Sequence, residues 1–278
     1  MDIIKTEGLS YCYEENSYAL KQISITVPKE KTTAFLGGNG AGKSTFFLNL
    51  NGVFTPTEGE VYFKGEKINY KSKKVLRELR KKVGIVFQDP NDQLFSADVL
   101  SDISYGPLNL GCSEEETKAI VEDVVKWLAI EEFLDKPTHA LSFGQKKRAA
   151  LAGVLAMRPE VIILDEPTAG LDPSGVSEML KLLNQLKKEK GLTVMLSTHD
   201  IDMIPLCCDY VYVFDHGKVV MAGECGEVFS QPEKLREHNL RLPRLSHLME
   251  ILQKEDGFDV DVRAATISEA RRSIKGLF

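Results

Sequence analysis

The chain has 278 residues, 43% hydrophobic and 27% charged, enough for one large domain with a small appendage and ordinary for a globular protein. A net charge of −6 argues against a general nucleic-acid surface. No apolar stretch approaches the ~18 residues that span a bilayer, and Met1-Asp2-Ile3-Ile4-Lys5 lacks the features of a signal peptide, so any membrane role is expected to be peripheral. The cysteines Cys12, Cys112, Cys207, Cys208 and Cys225 are odd in number and lack C-x-x-C spacing, which fits reduced thiols of a cytosolic chain. The vicinal pair Cys207-Cys208 reads as two small buried residues.

Strand-like runs occupy residues 3–9 and 23–27, where Ile23, Ile25 and Val27 alternate with the period of a half-buried strand. An aromatic-rich segment with Tyr11, Tyr13 and Tyr18 separates them. Residues 32–36 read as a buried strand and 46–50 as the first turns of a helix. Between them lies Gly37-Gly38-Asn39-Gly40-Ala41-Gly42-Lys43-Ser44-Thr45, the G-x-x-x-x-G-K-[ST] phosphate loop in its strand-to-helix context. The glycines let backbone N–H groups turn inward, and the helix N-terminus adds positive potential. Lys43 is expected to reach the β- and γ-phosphates of a nucleoside triphosphate, and the Ser44 hydroxyl to coordinate Mg²⁺.

A strand follows at 60–63, then a basic, helix-like stretch at 71–82 that reads as a solvated face, then a buried strand at 83–87. Ser113 and Glu116 form a capping box before an amphipathic helix whose stripe is Ile120, Val121, Val124, Val125 and Leu128, with Trp127 at its edge. Val161-Ile162-Ile163-Leu164 has the continuous aliphatic character of a parallel strand buried on both faces. A helix is expected at 174–189, ended by Gly191, then a strand at 193–197 and a hairpin of 210–215 and 218–222 around His216-Gly217. Short helices at 226–230, 233–238 and 244–254 close the chain. Strands alternating with helices imply right-handed crossovers and a mainly parallel sheet, whereas the early strands look antiparallel.

Parallel strands present ligands at their carboxyl ends, so Asp165 and Glu166 are expected beside the triphosphate. Asp165 suits Mg²⁺ held through its water shell. Glu166 is then placed to polarise the attacking water as a general base, a contribution of ~10²–10⁴-fold. Gln88 can bridge Mg²⁺ and that water, and His199 can touch the γ-phosphate. Each is commonly structural when met alone, and both gain weight only as members of this set.

Leu141-Ser142-Phe143-Gly144-Gln145 followed by Lys146-Lys147-Arg148 resembles the signature of ATP-binding-cassette ATPases. The order of motifs does too: Tyr13, phosphate loop, Gln88, signature, Asp165-Glu166, Ala169-Gly170-Leu171-Asp172, then His199. The resemblance covers roughly residues 3 to 238. It implies an α/β cassette over 1–238, with a P-loop NTPase core built on a mainly parallel sheet. An antiparallel N-terminal β subdomain, a helical signature subdomain at about 89–160 and a short helical extension at 239–278 complete it. It also implies ATP and Mg²⁺ as ligands, and a head-to-tail homo- or heterodimer with a second cassette chain.

In such a dimer each ATP lies on one chain's phosphate loop and is closed by the partner's Ser142, Gly144 and Gln145. The residues support this, because Ser142 and Gly144 start a helix with Leu151, Val154 and Leu155 on one face, leaving unpaired N–H groups for an anion. Asp172 would contact the partner. Tyr13 matches the aromatic on which adenine stacks, worth ~1–3 kcal/mol, with Tyr11 and Tyr18 as competitors. Two positions depart from the family pattern: Phe143 stands where glycine is usual, and Gly38 where proline or serine is common.

Within the family, the likeness is to energy-coupling-factor ATPases, specifically those of cobalt transport. It rests on Phe87-Gln88-Asp89-Pro90-Asn91-Asp92-Gln93-Leu94-Phe95, Tyr105-Gly106-Pro107-Leu108-Asn109-Leu110, Ala152-Gly153-Val154-Leu155-Ala156-Met157 and Arg241-Leu242-Pro243-Arg244-Leu245-Ser246-His247-Leu248. It implies placement on the cytoplasmic face of the cell membrane, docked to a membrane scaffold and a substrate-capture subunit, with no nucleic-acid partner. Nickel, biotin and riboflavin systems share this ATPase type. The absence of a His/Cys/Asp cluster with ligand spacing fits a motor that never touches cobalt. Leu94 and Phe95, apolar in a polar loop after Gln88, are the expected docking point. The rival class, cassettes acting on nucleic acid or ribosomes, usually carries two cassettes or a coiled-coil insertion. A third, a non-hydrolysing regulatory subunit, is separated by replacing Glu166.

Overall fold

The computed structural model describes residues 2–14 and 17–277; Met1, Glu15, Asn16 and Phe278 lie outside the described residues. The apolar runs become strands with small changes of boundary. Asp2–Cys12 (β1) and Tyr18–Pro28 (β2) extend beyond their apolar cores, and Thr32–Leu36 (β3) leads through the glycine loop into Lys43–Leu50 (α1). Glu58–Phe63 (β4) and Glu66–Lys67 (β5) pair as a hairpin, and Lys73–Lys82 (α2) runs directly into Val83–Val86 (β6). Then come Val99–Asn109 (α3), Glu114–Leu128 (α4) and Phe143–Ala156 (α5), followed by Val161–Asp165 (β7), Pro173–Lys190 (α6) and Thr193–Ser197 (β8). Ile204–Cys207 (α7) precedes the hairpin Tyr210–Asp215 (β9) and Lys218–Glu224 (β10). The chain finishes on Cys225–Phe229 (α8), Pro232–Glu237 (α9), Arg244–Lys254 (α10) and Ile267–Lys275 (α11).

These elements form two compact units, one from Met1–Phe46, Pro56–Lys67 and Ser197–Phe278, the other from Phe47–Thr55 and Ile68–Leu196. In the first unit, β2, β1, β4 and β5 make the expected antiparallel sheet, with Thr6 of β1 opposite Ile25 on one side and Val61 on the other. Ile23, Ile25 and Val27 are all buried, as their alternation requires. A second set runs β10-β9-β3, with β3 parallel to β9 and β9 antiparallel to β10. The β9–β10 turn uses two left-handed residues, His216 at φ 46° and Gly217 at φ 76°, which matches the twist of a tight hairpin.

The core under this set is aromatic. Phe35 lies 5.6 Å from Phe46 and 5.9 Å from Phe214 between ring centroids, and Tyr212 stacks on it while donating to the Thr26 carbonyl at 2.7 Å. Deleting one such ring costs ~3–5 kcal/mol. Farther along, Met249, Val260, Ala264 and Ala270 make a small core of their own, bordered by Leu245 and Ile274. Cys207 and Cys208 have sulfurs 3.5 Å apart, and burial pushes the Cys208 thiol well up and the Cys225 thiol to about 12. Cys207 is buried as the sequence predicts, whereas Cys208 is only half-buried.

In the second unit the order is β8-β7-β6, with β6 and β7 parallel. β7 and β8 are buried along their whole lengths. Gly84 of β6 admits α5 closely, since a Cβ there would lie 2.4 Å from Cγ1 of Val154. The Ser113–Glu116 capping box forms as expected, and Lys190 sits 5.6 Å over the Trp127 ring.

The sequence reading has no counterpart for α3. Gly106 and Pro107 interrupt its pattern, yet Gly106 is demanded by Met157, whose Cγ would stand 2.8 Å from a Cβ, and Pro107 falls in the last turn. α11 is also additional, closed by a Thr266–Glu269 capping box.

Candidate nucleotide-binding site

In the first unit the phosphate loop takes a backbone that only glycine adopts easily at Gly37, Gly40 and Gly42, with φ of 147°, 77° and 104°. A Cβ on Gly37 would lie 2.3 Å from the Phe214 carbonyl oxygen, so the loop is pressed against β9. Lys43 is buried, and its Nζ donates to the carbonyls of Gly37 at 2.7 Å and Gly38 at 3.1 Å. Gly38, Asn39, Gly40 and Ser44 are exposed, while Ala41 and Thr45 are buried. A cation held by its own loop beside exposed backbone at a helix start is an anion-binding arrangement.

Tyr13 is tied to that loop's helix, its hydroxyl 2.9 Å from Thr45 Oγ1 and its ring 58% exposed. Tyr11 meets Tyr13 edge-on at 5.1 Å, and the Tyr18 hydroxyl donates to Glu58 at 3.3 Å. Tyr13 is therefore the ring presented beside the loop. His199 is exposed, directly after the buried Thr198.

In the second unit Asp165 ends β7 and Glu166 follows it, both buried. Glu166 adopts φ 50°, a left-handed conformation uncommon for a glutamate and a frequent mark of functional positions. Gln88 is exposed just after β6. Gln88, Asp89, Asp92, Asp165 and Gly170 line a cleft of about 540 Å³, floored by Leu48, Phe87, Phe143 and Ala169. Within this unit the donor chemistry fits Mg²⁺: the Gln88 amide oxygen and the single aspartate Asp165 are hard oxygen ligands on one cleft, and Mg²⁺ needs only one or two carboxylates because it keeps its waters.

Ser142 caps α5, accepting from the Gln145 N–H at 3.3 Å, while Gln145 Oε1 accepts from the Ser142 N–H at 3.0 Å. The Gln145 side chain thus closes a capping box, and the Ser142 and Gln145 N–H groups, expected to be unpaired, already have partners within it. Gly144 is half-buried with Leu171 3.5 Å from where a Cβ would stand, and Asp172 caps α6 by accepting from Gly175 N–H at 2.7 Å. Lys147, absent from the sequence-derived set, joins these residues. Lys147 is 4% exposed, donates to the Glu166 carbonyl at 2.6 Å and lies 5.5 Å over the Phe143 ring. Burial pushes its ammonium down to about 8, against the pull of Glu166, Asp165 and Asp89. A signal was present: Lys147, Ala150, Leu151 and Val154 share one helical stripe.

The sequence family described as ABC transporter matches residues 20–169. The chain belongs to the ABC transporter family. This ABC protein is 52% identical over 272 residues to the energy-coupling factor transporter ATP-binding protein EcfA3 of Clostridium perfringens, covering 98% of this chain and 95% of that one. It is 51% identical over 274 residues to EcfA of Methanocaldococcus jannaschii, covering 99% and 97%. Among solved structures, cbiO1 of Clostridium perfringens, part of the ABC transporter complex cbiONQ, superposes with a TM-score of 0.78 at 52% identity, over 90% of this chain and 99% of that one. A dimeric cassette in a post-hydrolysis state with ADP and Pi gives 0.72 at 29% identity, over 80% and 98%. The ABC chain is therefore an ATPase with the α/β P-loop cassette fold, and an ATP-binding subunit of an energy-coupling-factor transporter. Among its described residues no helix is long and apolar enough to cross a membrane.

Proposed function

We propose that this chain powers uptake of cobalt ions, working as a cassette dimer on the cytoplasmic face of the cell membrane, docked to a scaffold and a substrate-capture subunit. The cobalt reading is supported by the 52% identity to cbiO1, part of the cbiONQ complex, and by the stretches around Phe87-Gln88 and Arg241-Leu242-Pro243. The cassette is assigned to residues 1–238, its signature subdomain to about 89–160, and the extension to 239–278.

The observation that carries the hydrolytic reading is Glu166, buried beside Asp165 and held at φ 50° directly after β7. Residues 37–45 bind the triphosphate through backbone N–H groups, with Lys43 released from the loop carbonyls onto the β- and γ-phosphates. Tyr13 carries the adenine. Ser44, Gln88 and Asp165 would hold Mg²⁺, which would supply charge neutralisation at the phosphates. Glu166 orients and deprotonates the attacking water, Gln88 aligns it, and His199 donates to the γ-phosphate. Ser142, Gly144 and Gln145 offer the α5 N-terminus to the partner's nucleotide, with Asp172 at the same interface.

The chain is co-expressed with its membrane subunits and ATP-dependent accumulation of radioactive cobalt is measured in vesicles. Uptake abolished by Glu166→Gln, with ATP-bound dimers accumulating, is the expected result. Accumulation of nickel or a vitamin instead of cobalt refutes the substrate, and undiminished turnover of Glu166→Gln refutes the base.

A further inference from the structure

We propose that Lys147 is a positioning residue for Glu166, so that each chain's signature helix holds the base of that same chain. The proposal rests on the dimer and general-base readings above. Three contacts join the first two turns of α5 to the turn after β7. Lys147 Nζ donates to the Glu166 carbonyl at 2.6 Å, the Phe143 ring lies against Gly170, and Gly144 faces Leu171. Gly170 has φ 74°, and a Cβ there would meet Phe143 Cε1 at 2.7 Å, so any other residue would strain the turn and displace the ring.

A buried ammonium is costly unless it is compensated, and this one has the Glu166 carbonyl, the face of Phe143 at 5.5 Å and the attraction of the Glu166, Asp165 and Asp89 carboxylates. The accepting carbonyl belongs to a glutamate at φ 50°, a backbone state that persists only where surroundings enforce it. Lys147 is such a constraint, because it fixes the peptide whose conformation aims the Glu166 carboxylate. Phe143, at a position where glycine is usual, then has a purpose as the floor for both Lys147 and Gly170. In the dimer the N-terminal end of α5 faces the partner's nucleotide while its second turn grips its own chain's base. Occupancy of one site is thereby reported to the other.

The test uses the full-length chain carrying Lys147→Met, with wild type and Glu166→Gln in parallel, and melting curves to establish folding. Lys147→Gln replaces the Met variant if that one does not fold. Expected are a kcat lowered at least about tenfold, the loss that follows from removing a charged hydrogen bond, with ATP affinity within about twofold of wild type. ATP-bound dimers should also accumulate on size exclusion, as they do when hydrolysis stalls after closure. A low kcat without dimers overturns the proposal, since Lys147 would then act on closure over the partner's nucleotide. An unchanged kcat also overturns it. If Glu166→Gln itself keeps full turnover or forms no dimers, the underlying reading fails instead, and the two failures are distinguishable.

Discussion

An alanine at position 37 would carry its Cβ 2.3 Å from the backbone oxygen of Phe214 and 3.0 Å from the Cβ of Ala41, at a φ of 147°. Neither neighbour is the end of a flexible side chain, so the loop must move. Backbone strain of this kind costs ~1–3 kcal/mol and forced overpacking costs about as much again, so the sum is ~2–6 kcal/mol. In a chain of this size that lowers Tm by something on the order of 10 °C. The Gly37 carbonyl also accepts from Lys43 Nζ at 2.7 Å, so a shifted loop misplaces the ammonium. ATP affinity should fall at least about tenfold, the equivalent of one charged contact. Thermal unfolding and titration with a fluorescent ATP analogue measure the two effects. Gly38→Ala is the control: its Cβ would have nothing within 4 Å, so the change should stay within about 0.5 kcal/mol. A Gly37→Ala protein with wild-type melting and affinity would refute the argument.

Leu94→Asp combined with Phe95→Asp should uncouple transport while sparing nucleotide binding, because Phe95 is 65% exposed and touches Tyr105 only edge-on at 4.7 Å; intact cobalt uptake by the double variant would rule out docking there. Glu250 accepts hydrogen bonds from the two terminal guanidinium nitrogens of Arg236, at 2.6 and 3.1 Å, and this pairing, aided by Lys254, holds its carboxyl below the usual range. A carboxylate with a depressed folded-state pKa contributes stability above its unfolded value of ~4.3, and that contribution disappears as pH falls through the folded value. Glu250→Gln should therefore flatten the acid side of a stability-versus-pH curve and leave the slope above pH ~5 unchanged, as read by urea unfolding.

What the sequence reveals depends on whether the cause is local. β8 and β9 have the boundaries read from the sequence, because an unbroken run of apolar and β-branched or aromatic residues between turn residues leaves one reading. The phosphate loop is legible for the same reason, its glycines sitting where the chain must turn left-handed. α3 is hidden because Gly106 answers to Met157, fifty-one positions away, and nothing local reveals that demand. Gln145 stands out in the sequence as a nucleotide contact, although its spacing from Ser142 repeats the S-x-x-[EQ] pattern of Ser113 and Glu116. Lys147 passes for one of three consecutive cations until α5 is seen to bury it.

The pairing of β3 with β9 has a bearing on synthesis. Thr32 donates its N–H to Asp209 across 177 residues of sequence, and the strand beside the phosphate loop has no β9 until those residues exist. At ~5–20 residues per second the ribosome takes roughly 10–35 s to supply them. Throughout that interval the nascent chain carries an apolar strand and a glycine loop without the Phe214 backbone that shapes it. A stop codon anywhere before Tyr210 should therefore abolish ATP binding as completely as a change in the loop itself, and the truncated chain should be retained by holdase chaperones.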